Sequence, residues 1–187
     1  MEFMHALWLP ILLSAVFVFI MSSIVHMFLP HHKTEWSPAP NQDALQNALR
    51  GAAGGMYGFP MVADPKDRMS PESMKKWSEG PSGFLVLFRP GPMKMGVMMG
   101  QSFALNLVVS FFAAYVAGHV LPMGAGGPAY LTVFRVVGTI GFMTYAFAPA
   151  YESIWFGRPW KSWVFAAFDG LLYGLVMAGT FGWLWPR

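Results

Sequence analysis

WKSWVFAAFDGLLYGLVMAGTFGWLW, residues 160–185, decides the fold. Trp160 and Trp163 open the stretch, Trp183 and Trp185 close it, and the run between them is apolar apart from Asp169, Tyr173 and Thr180. The two pairs stand about 20 residues apart, or roughly 30 Å of helix, which is the thickness of a bilayer's hydrocarbon core. Tryptophan favours the headgroup level on both sides of such a core, so the segment reads as one complete membrane span. Within it Ala166, Gly170, Gly174, Ala178 and Gly182 recur every fourth residue, and GLLYG (170–174) is a literal GxxxG. Lipid is as apolar as leucine, so helices in it associate by close backbone approach; this face predicts packing against a neighbouring span or against a second copy.

Three further stretches are long and apolar enough to cross a bilayer, at 5–29, 97–121 and 129–150, with 160–185 as the fourth. Composition agrees: 55% of the 187 residues are hydrophobic and 11% charged, and the mean hydropathy is +0.44. Soluble domains carry about 25% charged residues. The first span lacks a basic leader and a small-residue cleavage site, so it is expected to stay as an anchor. Pro10 is placed in its first turns, where a missing N–H costs least. The second span carries its own polar and small face, Ser102, Asn106, Ser110, Ala114 and Gly118. No internal repeat is evident, which removes support for a transporter built from matched halves.

Between the first two spans, residues 30–96 hold most of the charge. SPESMKKWSEG (70–80) reads as a helix with Ser70 as its cap, Pro71 at its first position and Gly80–Pro81 as its stop. NQDALQNALR (41–50) reads as a shorter helix carrying Asp43 at its start, ended by Gly51 and Gly54–Gly55. GMYGFPMV and GFLVLFR look like short strands, although Pro60 weakens the first. The expectation is an all-α membrane protein: four transmembrane helices with a small α+β extramembrane insertion between helices 1 and 2. Lys33, Arg50, Lys66, Arg68, Lys75, Lys76, Arg89 and Lys94 in the insertion, with Arg158 and Lys161 between the last two spans, face only Arg187 on the other side. The excess of Lys and Arg places that side in the cytoplasm and both termini outside, periplasmic for a bacterial inner membrane. The net charge of +3 and pI near 9.3 are accounted for by anionic headgroups, with no need of nucleic acid.

Chemistry is written less openly. With no cysteine, disulfides, thiolate clusters and a cysteine nucleophile are excluded, so any metal needs His, carboxylate or carbonyl ligands. GxxxxGK[ST], GxGxxG, GxSxG and HExxH are absent, which removes sequence support for nucleotide binding and the common hydrolase and metalloprotease motifs. Fifteen methionines, densest in MKMGVMM (93–99), read as flexible apolar packing. Two charges fall inside spans, Arg135 and Asp169. Their expected depths differ by about 8–10 Å, which an arginine side chain can largely bridge, so they are read as an intramembrane ion pair. SSIVHMFLPHHKTEW (22–36) crowds His26, His31, His32 and Glu35 at the inner end of the first span. These are read first as interfacial polar residues and second as metal ligands. Pro30 interrupts the helix between His26 and His31, and a further ligand, such as Asp64 or Glu72 of the insertion, would be needed. His5 and His119 meet at the opposite surface, where an imidazole pair could hold haem.

Three strings, SSIVHMFLPHHKTEW, FRVVGTIGF and DGLLYGLVMAGTFGWLWP, resemble a family of small bacterial four-span membrane proteins of unknown function. The resemblance covers most of the chain and implies a bacterial four-span protein with an insertion after the first span; it implies no activity, ligand or catalytic residue. The leading functional expectation is a non-enzymatic accessory or assembly subunit that docks on a larger membrane complex or on its own copy. A small transporter or channel is the alternative, with Arg135, Asp169, Asn106 and Gln101 lining a polar path. A membrane metal or haem protein built on the histidines is the third reading.

Overall fold

The computed structural model describes residues 2–62 and 64–187. It contains four helices long and apolar enough to cross a membrane, and a two-stranded antiparallel sheet between the first and second of them. The long helices are α1 (Glu2–Phe28), α4 (Met95–Val120), α5 (Tyr130–Ala146) with its short continuation α6 (Ala150–Phe156), and α7 (Trp160–Leu184). The insertion holds α2 (Gln42–Ala48), β1 (Gly55–Phe59), α3 (Pro71–Glu79) and β2 (Gly83–Leu87). The chain divides into two compact units, residues up to Trp36 with Lys94–Arg187, and Ser37–Met93.

In the smaller unit, local signals do the work. Ser70 Oγ accepts the Ser73 N–H at 3.3 Å, Pro71 begins α3, and Gly80 at φ +56 ends it. β1 pairs with β2 in the register Gly55↔Leu87 to Phe59↔Gly83 and stops where Pro60 would withhold a ladder N–H. Two candidate metal partners are occupied here: Asp64 accepts the Lys66 N–H at 2.9 Å, and Glu72 pairs with Lys76 at 2.7 Å.

In the larger unit, the buried core joins α1, α4, α5 and α7 through Leu7, Val18, Val25, Val109, Ala113, Val133, Val137, Met177 and Phe181. The small-residue face of α7 is spent on α5. A Cβ on Gly174 would lie 2.9 Å from the Gly138 carbonyl oxygen and 2.9 Å from the Phe142 nitrogen, and one on Gly170 would lie 2.9 Å from the Ala146 nitrogen. The ring of Tyr130 fills the space beside Gly182. The face of α4 is only partly buried: Asn106, Ser110 and Ala114 are enclosed and Gly118 packs on Phe3 and Leu7 of α1, while Ser102 is exposed. Pro10 lies at the ninth position of α1, beyond the first turn in which its missing N–H would go unnoticed.

This seam corrects the expected Arg135–Asp169 ion pair. Gly170, next to Asp169, is level with Ala146, whereas Arg135 precedes Ala146 by eleven residues. Eleven residues are about 16 Å of helix, beyond the reach of an arginine side chain. Arg135 is instead exposed, and among the described residues no carboxylate pairs with it. α5 ends at Ala146 and a three-residue turn, 147–149, leads into α6; together they make up one candidate span, Tyr130–Phe156.

Candidate metal centre

α1 delivers the first component. His26 lies in its last turn, where Nδ1–H donates to the Ser22 carbonyl one turn earlier at 2.9 Å, leaving Nε2 as the free lone pair. Pro30 then begins a 3-10 turn, His31–Thr34, instead of letting the helix run on. The tighter turn swings the chain back so that the His32 ring stacks on His26, 4.4 Å between centroids and 9° between planes. The proline that breaks the i, i+5 alignment of His26 with His31 therefore creates a different pairing.

Asp169 supplies the second component, in the third turn of α7 and 4% exposed. Its Oδ1 lies 3.1 Å from His31 Nε2 and its Oδ2 lies 2.6 Å from His32 Nε2. The rings of Phe165 and Phe168 stand edge-on to His31 at 5.1 and 5.8 Å and wall the cluster with apolar surface. A buried carboxylate costs several kcal/mol of lost hydration, roughly, unless it is met by donors, and here two imidazoles meet it.

Glu35 closes the other side. One oxygen is hydrogen-bonded to His32 Nδ1, and the second accepts from Arg158 at 3.2 Å. Arg158 also donates to Glu152 at 2.6 Å, and Ser162 at the start of α7 donates to Glu35. Burial alone would lower the His32 pKa, but the hydrogen bonds to Glu35 and Asp169 outweigh it and raise the value above the ordinary imidazole. Burial alone would raise Glu35; the donors His32, Ser162 and Arg158 outweigh it and hold this carboxyl below its usual range. The order Glu35–His32–Asp169 is thus a carboxylate orienting an imidazole whose far nitrogen faces a second carboxylate.

Ligand atoms of His26, His32 and Asp169 all lie within 4.8 Å of one another, and this is the one such group of three among the described residues. Zinc binds imidazole nitrogen and carboxylate oxygen at about 2.0–2.2 Å, so small side-chain rotations would bring these three atoms around one ion. Histidine ligands to metals commonly give their other N–H to a carboxylate or a carbonyl, and both do so here, His32 to Glu35 and His26 to Ser22. Of the residues singled out in the sequence, His26, His31, His32 and Glu35 therefore do converge, and the missing member comes from α7 and not from the insertion. Asp64 and Glu72 belong to the other compact unit. His119 lies against Phe3 and Tyr115, its Nδ1 2.6 Å from the Tyr115 carbonyl, and His5 is exposed on α1. Arg158 was legible only as part of a basic loop, and nothing in the sequence singled out Glu152 or Ser162. Asn106 holds the Tyr145 hydroxyl at 2.9 Å, and Gln101 is exposed on α4.

No protein-family model matches this chain, and neither does any curated protein or solved structure. The functional reading therefore rests on the geometry itself.

Proposed function

We propose that this is a multi-pass membrane protein that binds one divalent transition-metal ion at the end of its helix bundle, through His26, His32 and Asp169. The observation that carries the reading is the convergence of those three ligand atoms within 4.8 Å, with Nδ1 of each imidazole engaged by the chain, His26 on Ser22 and His32 on Glu35; the ion would take the free Nε2 of His26 and displace the proton between His32 Nε2 and Asp169. His31, on the other oxygen of Asp169, is placed to become a fourth ligand or to steady the carboxylate. The mixture of nitrogen and oxygen donors without sulfur suits zinc, cobalt, nickel, manganese or iron better than copper(I). In this reading the Lys and Arg distribution puts the centre on the cytoplasmic side and both termini outside, in a bacterial inner membrane.

The accessory-subunit reading loses its principal support, because the small-residue face of α7 is already filled by α5 of the same chain. A continuous polar path is likewise without support, since Arg135 and Asp169 sit at separate places on the bundle and Gln101 is exposed.

The test is metal analysis of protein purified in mild detergent without chelator, followed by titration of the chelator-treated protein with Zn2+, Co2+, Ni2+ and Mn2+. One equivalent per chain is expected for at least one of them, with affinity reduced at least about 100-fold in His32→Ala and in Asp169→Asn. Failure of all four ions to bind stoichiometrically, or binding that survives both substitutions, would end the proposal.

A further inference from the structure

Away from the helix ends, Asp169 and Arg135 are the two charged side chains of the long helices, and among the described residues Asp169 has ion-pair partners while Arg135 has none. Arg135 lies five residues into α5 from Tyr130, about 7–8 Å along the axis. Side chains on a helix tilt toward its N-terminus, so the guanidinium is carried toward the nearer membrane surface. On the other side of Arg135 a groove of about 230 Å³ runs between α5 and α7. Phe134, Phe142, Leu171 and Leu175 form its walls, Gly138 and Gly174, where two backbones touch, contribute its floor, and Thr139 is the one uncharged polar side chain among the largely apolar lining. From Arg135 to Phe142 is seven residues, about 10 Å of helix, directed from the headgroup level toward mid-span.

A cation exposed at that depth needs an anion, and an apolar groove leading away from it needs an apolar chain. We propose that Arg135 and the α5–α7 groove bind a membrane phospholipid, its phosphate on the guanidinium and one acyl chain lying over Gly138 and Gly174. Guanidinium matches phosphate bidentately, which a lysine ammonium does not. The direction of the groove, charged at its surface end and apolar inward, follows a lipid molecule. A carboxylate from a partner helix would explain the charge alone. The inference rests on reading the long helices as membrane spans and is independent of the metal centre.

Carbonate extraction of membranes comes first: release of the protein would remove the membrane reading itself, whereas retention leaves the lipid site to be judged separately. Native mass spectrometry then follows on protein purified in mild detergent, with phosphatidylglycerol as probe and inorganic phosphate as the second probe. The wild type is expected to hold one phosphatidylglycerol at a collision energy at which Arg135→Gln retains at least fivefold less, with Arg135→Lys intermediate. Leu175→Trp fills the groove, leaves the charge in place, and is expected to lose the lipid as well, which keeps the test open should Arg135→Gln fold poorly. Equal lipid retention in the wild type, Arg135→Gln and Leu175→Trp overturns the proposal. Inorganic phosphate binding as tightly as the lipid overturns it too, as does a co-purifying protein in place of lipid that disappears in Arg135→Gln.

Discussion

Asp169 and Arg135 are opposite charges on two helices whose backbones touch, and their surroundings could hardly differ more. Asp169 is enclosed, with an imidazole on each oxygen and a network of Glu35, Arg158 and Glu152 behind them. Arg135 faces outward over an apolar groove without a carboxylate among the described residues. Opposite signs within an arginine's expected reach are therefore weak grounds for pairing them. The helix register fixed by glycines separates them by about 16 Å, and a short turn from elsewhere in the chain reaches the acid first. One charge is met inside the fold, and the other is turned to its outside.

The seam that holds the two apart offers the severest way to break this arrangement. Gly174→Ile drives a branched side chain into the Gly138 carbonyl and the Phe142 nitrogen, both backbone atoms that cannot rotate away. The expected loss is about 3 kcal/mol or more, enough for the purified bundle to lose its cooperative thermal transition in detergent. A transition within a few degrees of wild type would show that the seam is not as close as described.

Asp169→Asn comes next in size. It removes the carboxylate from two imidazoles at a nearly dry site, and about 2 kcal/mol of stability is expected to go with it, together with metal binding. Chemical denaturation with and without added Zn2+ separates the two effects: the wild type should gain stability from the ion and the variant should not. Glu35→Gln is a milder test of the same region. It leaves the ligand set intact but weakens the acceptor of the His32 Nδ1 proton, so metal affinity is expected to fall by about 10- to 100-fold without vanishing, as titration would show. The smallest expected change in stability lies on the other side of the comparison. Arg135→Gln removes an exposed charge with no carboxylate partner among the described residues, and its unfolding free energy is expected to stay within about 0.5 kcal/mol of wild type. A loss as large as that of Asp169→Asn would mean that Arg135 is also engaged inside the protein.

Much of the frame was legible in the sequence because bilayer thickness and backbone sterics act locally. Trp160, Trp163, Trp183 and Trp185 marked the fourth span, Gly170 and Gly174 marked a close contact, and Ser70, Pro71 and Gly80 marked α3. The partner of that close contact was not legible, since glycine spacing says that something approaches and not what. The centre was half legible. His26, His31, His32 and Glu35 stood out by density, but their geometry depended on how Pro30 redirects the chain. Asp169, 137 residues beyond His32, could be joined to them only by packing. Arg158 looked like a topology signal because its role comes from the bend between α6 and α7, which brings it beside Glu35.

The central claim is that His26, His32 and Asp169 surround one metal ion, and X-ray absorption at the metal edge addresses it directly. On protein loaded with one equivalent of Co2+ or Zn2+, the account predicts a light-atom nitrogen and oxygen environment at about 2.0–2.2 Å with outer-shell scattering from two or three imidazoles. One imidazole should be lost in His26→Ala. A spectrum without imidazole scattering, or one that His26→Ala and His32→Ala leave unchanged, would contradict it.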